Sequence, residues 1–449
     1  MPREAIERYH GLLNDQVAAD TSADLFNRLK PLSLYFGDRP ICTVIRPHFY
    51  LLEDWQYLKH ETEVLLGAFA RMHAACIEQV ELRAQLDLEP YEEAFFNLDI
   101  GSAVPWTTSR LDSFYVTAER QLHFVEYNAE TPAGMGYEDV LSELFMTLEP
   151  MKQFQQYYAV QSMPMLGKLL AVLMRGYKDW GGHGLPQIAI VDWSHVPTLN
   201  EHAIIGRYFE RHGMKAMLVD PRNLEYRNGH LWAGGFRVDM IYKRVLCTEL
   251  VRQMGMDNPI VRAIKDKAVF MSNSFSAKLL AKKASLALLS DERNAHLFDE
   301  EQLAAIHAHI PWTRKVSERK TTYQGKEVDL LPFIVEHRDR LVLKPNDEYG
   351  GKGVVIGWEA SAEEWNETIQ QALTDSYVVQ EKVSVIYKDF PALIDGKLNI
   401  SSRFVDANPY VFDGHTVHGC LTRLSSVALL NVTAGGGSVV PTFLLQKRS

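Results

Sequence analysis

The chain has 449 residues, 46% hydrophobic and 23% charged, the proportions of a folded chain rather than a disordered one. Its 47 basic and 57 acidic side chains leave a net charge of −10, which disfavours a nucleic-acid backbone as the main partner. No apolar run reaches the ~20 residues of a membrane-spanning helix, the start at Met1 to Glu4 opens no signal-peptide core, and Cys42, Cys76, Cys247 and Cys420 lie too far apart for a CxxC motif, so a cytoplasmic protein with reduced thiols and no membrane partner is expected.

Residues 1–98 read as mainly helical, with apolar residues on one face of 55–75 and the same manner continuing over 76–96. From Trp106 the pattern changes. Two short strands are predicted at 113–116 and 122–127, then a loop over 129–136 and a helix over 137–148 whose first turn carries Glu138 and Asp139, charges suited to the positive end of a helix. Between 166 and 268 a strand–helix–strand rhythm follows: 187–192, a helix at 200–213 closed by Gly213, then strands at 215–220 and 238–243. That alternation predicts a small sheet flanked by helices. The last part, 269–449, opens with a helix over 276–289 and continues with strands at 340–344, 353–356 and 377–381, ending in a glycine-rich loop at Gly435 to Gly437. The expected organisation is α/β (α+β) in four parts: 1–98, 99–165, 166–268 and 269–449. No repeat or long linker separates them.

Three stretches carry chemistry. A strand that delivers Lys344 runs into a loop with Gly350, Gly351, Lys352 and Gly353. Glycines let backbone N–H groups close on an anion, and the lysines add charge for phosphate oxygens. The segment is not a Walker P-loop, since the G-x-x-x-x-G-K-[ST] pattern is absent; a plain glycine-rich hairpin with surface lysines is the bland alternative. Earlier, Arg110 and Asp112 precede Glu126 and Asn128, and strand alternation places Glu126 and Asn128 on one face. Two carboxylates and an amide are hard oxygen donors that suit Mg²⁺; equally, Asp112 pairs with Arg110 and the others are solvated. Third, Lys278, Lys282 and Lys283 form a cluster that is either a solvated helix face or includes one functional lysine. Gln380 and Glu381 close a strand and could grip an adenine amino group and a ribose, although an ordinary strand end explains them too. Asp239, Lys243 and Arg244 form a compact charged set best explained as a structural salt bridge. The sixteen histidines show no metal spacing and no G-x-S-x-G elbow occurs.

Taken in order, these pieces resemble the circularly permuted ATP-grasp proteins, a group related to glutathionylspermidine synthase. The segment Arg110 to Asp112 followed by Glu126 to Gly134 is similar to that family's metal segment, and Asp239 to Arg244 to a strand of its middle domain. Residues 274–289 with Lys283, then Lys344 and Gly350 to Gly353, resemble its nucleotide half, and Asn431 to Pro441 its glycine-rich C-terminal segment. The resemblance implies a circularly permuted ATP-grasp fold with an α/β substrate domain at 166–268. It also implies ATP and Mg²⁺: Asp112, Glu126 and Asn128 hold the metal, Lys283 and Lys344 contact phosphates, the 350–353 loop closes over them, Gln380 and Glu381 meet adenine and ribose, and Arg110 steadies charge on the transferring phosphoryl group. The implied activity is ligation of a small-molecule or peptide carboxylate to an amine through an acyl phosphate, in a protein free to form a homo-oligomer. A phosphotransferase on the same fold and a nucleotide-binding partner without turnover remain as alternatives. Lys282 stands where the synthases more often have asparagine, and these 449 residues show no cysteine amidase segment, so a second, hydrolytic activity is not expected.

Overall fold

The computed structural model describes residues 2–96, 98, 105–348, 350–425 and 437–448. The expected loop at Gly435 and Gly436, and most of the 431–441 segment, lie outside the described residues. Among the described residues no helix is long and apolar enough to cross a membrane.

The predicted hairpin is present but longer than expected, with strands Thr108–Val116 and Gln121–Asn128 joined by a tight turn in which Arg120 takes φ +52°. The extra N-terminal residues are held by a strand from the far end of the chain: Asn408–Phe412 pairs antiparallel with them, Tyr410 opposite Arg110. No local pattern could report that partner. The resulting mixed-origin sheet runs in the order Ile386–Ile394, Lys397–Val405, Thr416–Ser425, Asn408–Phe412, Thr108–Val116, Gln121–Asn128, with Ser438–Val440 added on Thr416–Ser425. An early hairpin and late strands thus share one sheet, the arrangement that a permuted order of elements requires.

The middle part holds a four-stranded parallel sheet in the order Phe270–Ser272, Met240–Lys243, Gln187–Val191, Lys215–Val219, with helices such as Leu199–Arg211 against it. This matches the predicted rhythm, Gly213 closing that helix at φ +82°. A small meander over Leu224–Arg227, His230–Ala233 and Phe236–Val238 was not foreseen, and it takes Val238 out of the strand predicted at 238–243. A second small sheet orders Thr313–Lys315, Tyr377–Glu381, Leu341–Pro345 and Val355–Ile356, packed on its own core around Trp365 and Leu343. The strand over 353–356 shortens to its last two residues because Gly353 takes φ +69°, outside the extended region.

Other differences have local causes. The helix Leu52–Glu78 stops at Gln79, and 76–96 breaks into short turns with Asp87 left-handed at φ +57° before Pro90 opens Pro90–Phe96. The helix over 137–148 starts at Met135, after Gly134 at φ +111°. Its Glu138 and Asp139 are not solvated dipole partners: Asp139 accepts from the amides of Met165 and Leu166, and Glu138 from that of Thr442 at 2.6 Å. The helix over 276–289 is interrupted at Lys282, whose ψ is 133°. There the amides of Lys283 and Ala284 turn to the backbone and side-chain oxygens of Asn346, exchanging helix bonds for a grip on the root of the glycine loop.

Candidate functional site

The hairpin register sets Arg110 opposite Asn128 and Asp112 opposite Glu126, so four polar side chains share one face. Arg110 grips Asp112 through Nε at 2.7 Å and Nη2 at 3.0 Å, and Arg423 reaches the same carboxylate at 2.7 Å while its Nε donates to Asp406 at 2.6 Å. Burial alone would raise the Asp112 carboxyl, but the two guanidiniums outweigh it and hold it below the usual range. The sequence alternative that paired Asp112 with Arg110 is therefore met, yet Glu126 and Asn128 are not merely solvated. Glu126 accepts from Lys283 Nζ at 3.1 Å, and the buried Asn128 Nδ2 has no partner, leaving that amide free to turn either end to a ligand. Three oxygen donors on one face fit a hard divalent cation.

From the other half, Lys344 at the end of Leu341–Pro345 donates to Gln380 Oε1 at 2.6 Å and to the Val125 carbonyl at 3.3 Å. Burial, aided by Lys283 and opposed by Glu126, lowers its ammonium to about 8. Among the described residues no carboxylate pairs with it. Lys283 also donates to the Glu348 carbonyl at 2.5 Å. Gln380 is held through Nε2 by Thr313 at 3.0 Å, and Glu381 accepts from the Tyr323 hydroxyl at 2.6 Å. Gly350, Gly351 and Gly353 all take positive φ, and a Cβ on Gly353 would come within 2.7 Å of Pro345 Cγ. Lys352 points outward and pairs with Glu348 at 3.1 Å.

Arg110, Asp112, Glu126, Asn128, Lys283, Lys344, Gly350, Gly351, Lys352, Gln380 and Glu381 line one cavity of about 1110 Å³, and Arg423 joins them; Gly353 does not. The early acidic strands and the late lysine–glycine segment, more than 200 residues apart, thus converge. The lysine cluster is no solvated face: Lys278, Lys282 and Lys283 are all buried. Lys278 bridges Glu130 at 3.3 Å and Asp347, and Lys282 pairs with Glu92 at 2.7 Å. The expected set of Asp239, Lys243 and Arg244 does not form. Asp239 sits at the start of its strand with Arg237 at 2.9 Å, whereas Lys243 pairs with Glu130 at 3.1 Å and Arg244 lines the cavity.

Sequence reasoning missed Glu130, Arg423 and Asp347. Glu130 continues the alternation of Glu126 and Asn128, a signal that was present. Burial would raise its carboxyl, but Lys243 and Lys278 bring it down to about 2. Arg423 reaches the site only through the long-range strand order, so nothing nearby announced it.

A family model described as circularly permuted ATP-grasp type 2 matches residues 114–425. Among curated relatives, an uncharacterised protein of Synechocystis is 26% identical over 271 residues, 56% of this chain and 52% of that one. A protein of Frankia casuarinae named "Putative glutamate--cysteine ligase 2-2" is 26% identical over 234 residues, 49% of this chain and 25% of that one. The chain thus matches about half the length of the first and a quarter of the second. A solved glutathione synthetase like-effector from Globodera pallida, in apoform, aligns over 96% of this chain and 98% of its own with a TM-score of 0.61 at 12% identity, a likeness of fold. With two thirds of its length matched by the family model, the chain belongs to the circularly permuted ATP-grasp type 2 family.

Proposed function

We propose that the protein is an ATP- and Mg²⁺-dependent ligase that activates a carboxylate as an acyl phosphate and passes it to an amine. One observation carries the proposal: Lys283 and Lys344 meet Glu126 and Asp112 in a single cavity, which places cations and hard oxygen donors around space for a triphosphate. A carboxylate is a poor electrophile, and phosphorylation supplies a leaving group. In this scheme Lys283 and Lys344 neutralise phosphate oxygens, the loop over 350–353 covers them, and Gln380 and Glu381 meet adenine and ribose. Arg110 steadies charge on the transferring phosphoryl group. Asp112, Glu126 and Asn128 would hold Mg²⁺, which when bound screens the phosphate charges. In this reading residues 99–165 and 269–449 are the two halves of the ATP-grasp core, 166–268 the substrate domain and 1–98 a mainly helical N-terminal region, in a cytoplasmic protein acting on small molecules or peptides. The ligase names of the Frankia relatives support the reaction class.

The test is ADP release over a panel of amino acids, short peptides and polyamines, with product analysis. An amide product with free phosphate is expected; a phosphorylated acceptor would make the protein a phosphotransferase, and no turnover would make it a binding protein. Glu126→Ala should lower ATP-dependent turnover at least 100-fold, and an undiminished rate would remove Glu126 from the metal set.

A further inference from the structure

The cavity extends beyond the nucleotide half to the parallel sheet of the middle part. There the chain passes from Gln187–Val191 to Lys215–Val219 on one side, then crosses to Met240–Lys243 on the other. The strand order therefore reverses between Gln187–Val191 and Met240–Lys243, and in such sheets ligands bind outside the carboxyl ends of the strands at that point. The residues that follow the two strands are Asp192 and Arg244, and both line the cavity.

Arg244 is buried, 6% exposed, and among the described residues no carboxylate pairs with it directly, Glu201 and Asp192 acting on its charge only across space. Its Nη1 donates to the Tyr242 hydroxyl at 3.4 Å, its Nη2 to the Thr131 carbonyl at 3.2 Å, and its buried Nε has no partner. By contrast Arg110, Arg423, Lys278 and Lys283 each touch a carboxylate. A guanidinium whose direct partners are neutral oxygens, with one N–H unpaired, keeps donors for an anion that enters the cavity. Asp192 stands on the adjacent strand end, where Val191 and Lys243 are register partners and strands lie about 4.8 Å apart. Yet the two opposite charges do not pair. Asp192 instead accepts from its own neighbour's amide, Trp193, at 2.9 Å, and its other oxygen is 3.6 Å from His202 Nε2, too long for a hydrogen bond.

We propose that Arg244 and Asp192 form the anchoring subsite for a substrate with an α-amino-acid head, the carboxylate on the guanidinium and the ammonium on the Asp192 carboxylate. The loop between the two halves gives the subsite its bearing on the chemistry. Arg244 donates to the Thr131 carbonyl and Arg110 to that of Ala133 at 2.7 Å, two residues along and so at most about 7 Å away. The anchored head is thus held by a different guanidinium from the one placed at the reacting group, close enough for one small substrate to reach both. This assignment deepens the ligase proposal and rests on it for the reaction, not for the binding.

Calorimetric titration of the full chain tests it, using the twenty standard α-amino acids, their α-carboxamides and their des-amino acids, with and without a non-hydrolysable ATP analogue and Mg²⁺. At least one amino acid should bind, with its carboxamide and des-amino counterparts roughly thirtyfold or more weaker, the least expected for unpairing a buried charge. Arg244→Gln should erase the preference for acid over carboxamide, Arg244→Lys should keep part of it, and Asp192→Asn should erase the preference for the ammonium. The analogue's affinity should stay within threefold in all three variants, which also reports folding. Absence of amino-acid binding, equal binding of acid and carboxamide, or a preference that survives Arg244→Gln overturns the subsite. If a variant fails to fold, the wild-type acid–carboxamide comparison still decides. An analogue that fails to bind the wild type counts against the ligase proposal alone, because the titrations without nucleotide judge the subsite.

Discussion

Replacing Lys344 by methionine separates what its ammonium costs from what it binds. Below pH 8 the lysine is protonated both in the folded protein and in the unfolded chain, and burial disfavours that charge. Its folded value of about 8 against the ordinary 10.5 corresponds to about 3 kcal/mol. The sign follows from proton counting. Between pH 8 and 10.5 the unfolded chain keeps a proton that the folded protein has lost, so stability rises with pH across that window and the full cost is present at pH 7. Methionine removes the cost but also the bonds to Gln380 and Val125, each worth about 1.5 kcal/mol as charged hydrogen bonds. These nearly cancel. The unliganded variant should therefore melt within about 2 °C of the wild type. Ligand is different: ATP with Mg²⁺ at about 100 times its Kd should stabilise the wild type by about 2.7 kcal/mol, and at about 0.9 kcal/mol/K for 449 residues that is about 3 °C. Lys344→Met should show none of it. Differential scanning fluorimetry reads both quantities, and a variant that keeps the 3 °C nucleotide shift would refute the placement of phosphate at Lys344.

Glu130→Gln leaves Lys243 and Lys278 buried without their shared carboxylate and should cost about 3–5 kcal/mol in urea unfolding at pH 7. In the wild type the Glu130 carboxyl is lowered to about 2, so its contribution is complete above pH 4.5 and fades as pH falls towards 2; the variant should lose that part of the acid limb. Gly353→Ala must hold φ +69° and press Pro345 at 2.7 Å, so a loss of about 1–2 kcal/mol is expected by chemical denaturation. Asp347→Asn weakens the tie of the glycine-loop root to Lys278, Lys282 and Thr248, and limited proteolysis should then cut the 346–353 loop faster than in the wild type.

What could be read from the sequence follows the range of the forces involved. Strands such as Tyr377–Glu381 and Gln187–Val191 are set by their own apolar runs and were foreseen. The grouping of Arg110, Asp112, Glu126, Asn128, Lys283, Lys344, Gln380 and Glu381 on one cavity was foreseen from the order of their motifs. Elements that depend on distant partners were not. The break at Lys282 answers to Asn346, the early start of Thr108–Val116 to Asn408–Phe412, and the inward turn of Glu138 to Thr442. Arg423 and Asp347 entered the site for the same reason. The middle-part charges misled because Asp239 and Arg244 stand at opposite ends of a strand, a distinction that closeness in sequence hides.

The strand Thr442–Lys447 lies between His48–Leu51, in parallel, and Tyr158–Gln161, antiparallel. The strand His48–Leu51 therefore waits almost 400 residues for its neighbour, and the hairpin bearing Asp112 about 300 for Asn408–Phe412. During translation both must remain open at their edges, exposed to wrong pairings, until Asn408–Phe412 and Thr442–Lys447 leave the ribosome. Deleting Thr442–Lys447 alone would then leave both partner strands unsealed, harming the assembly of the cleft without touching any group that lines it.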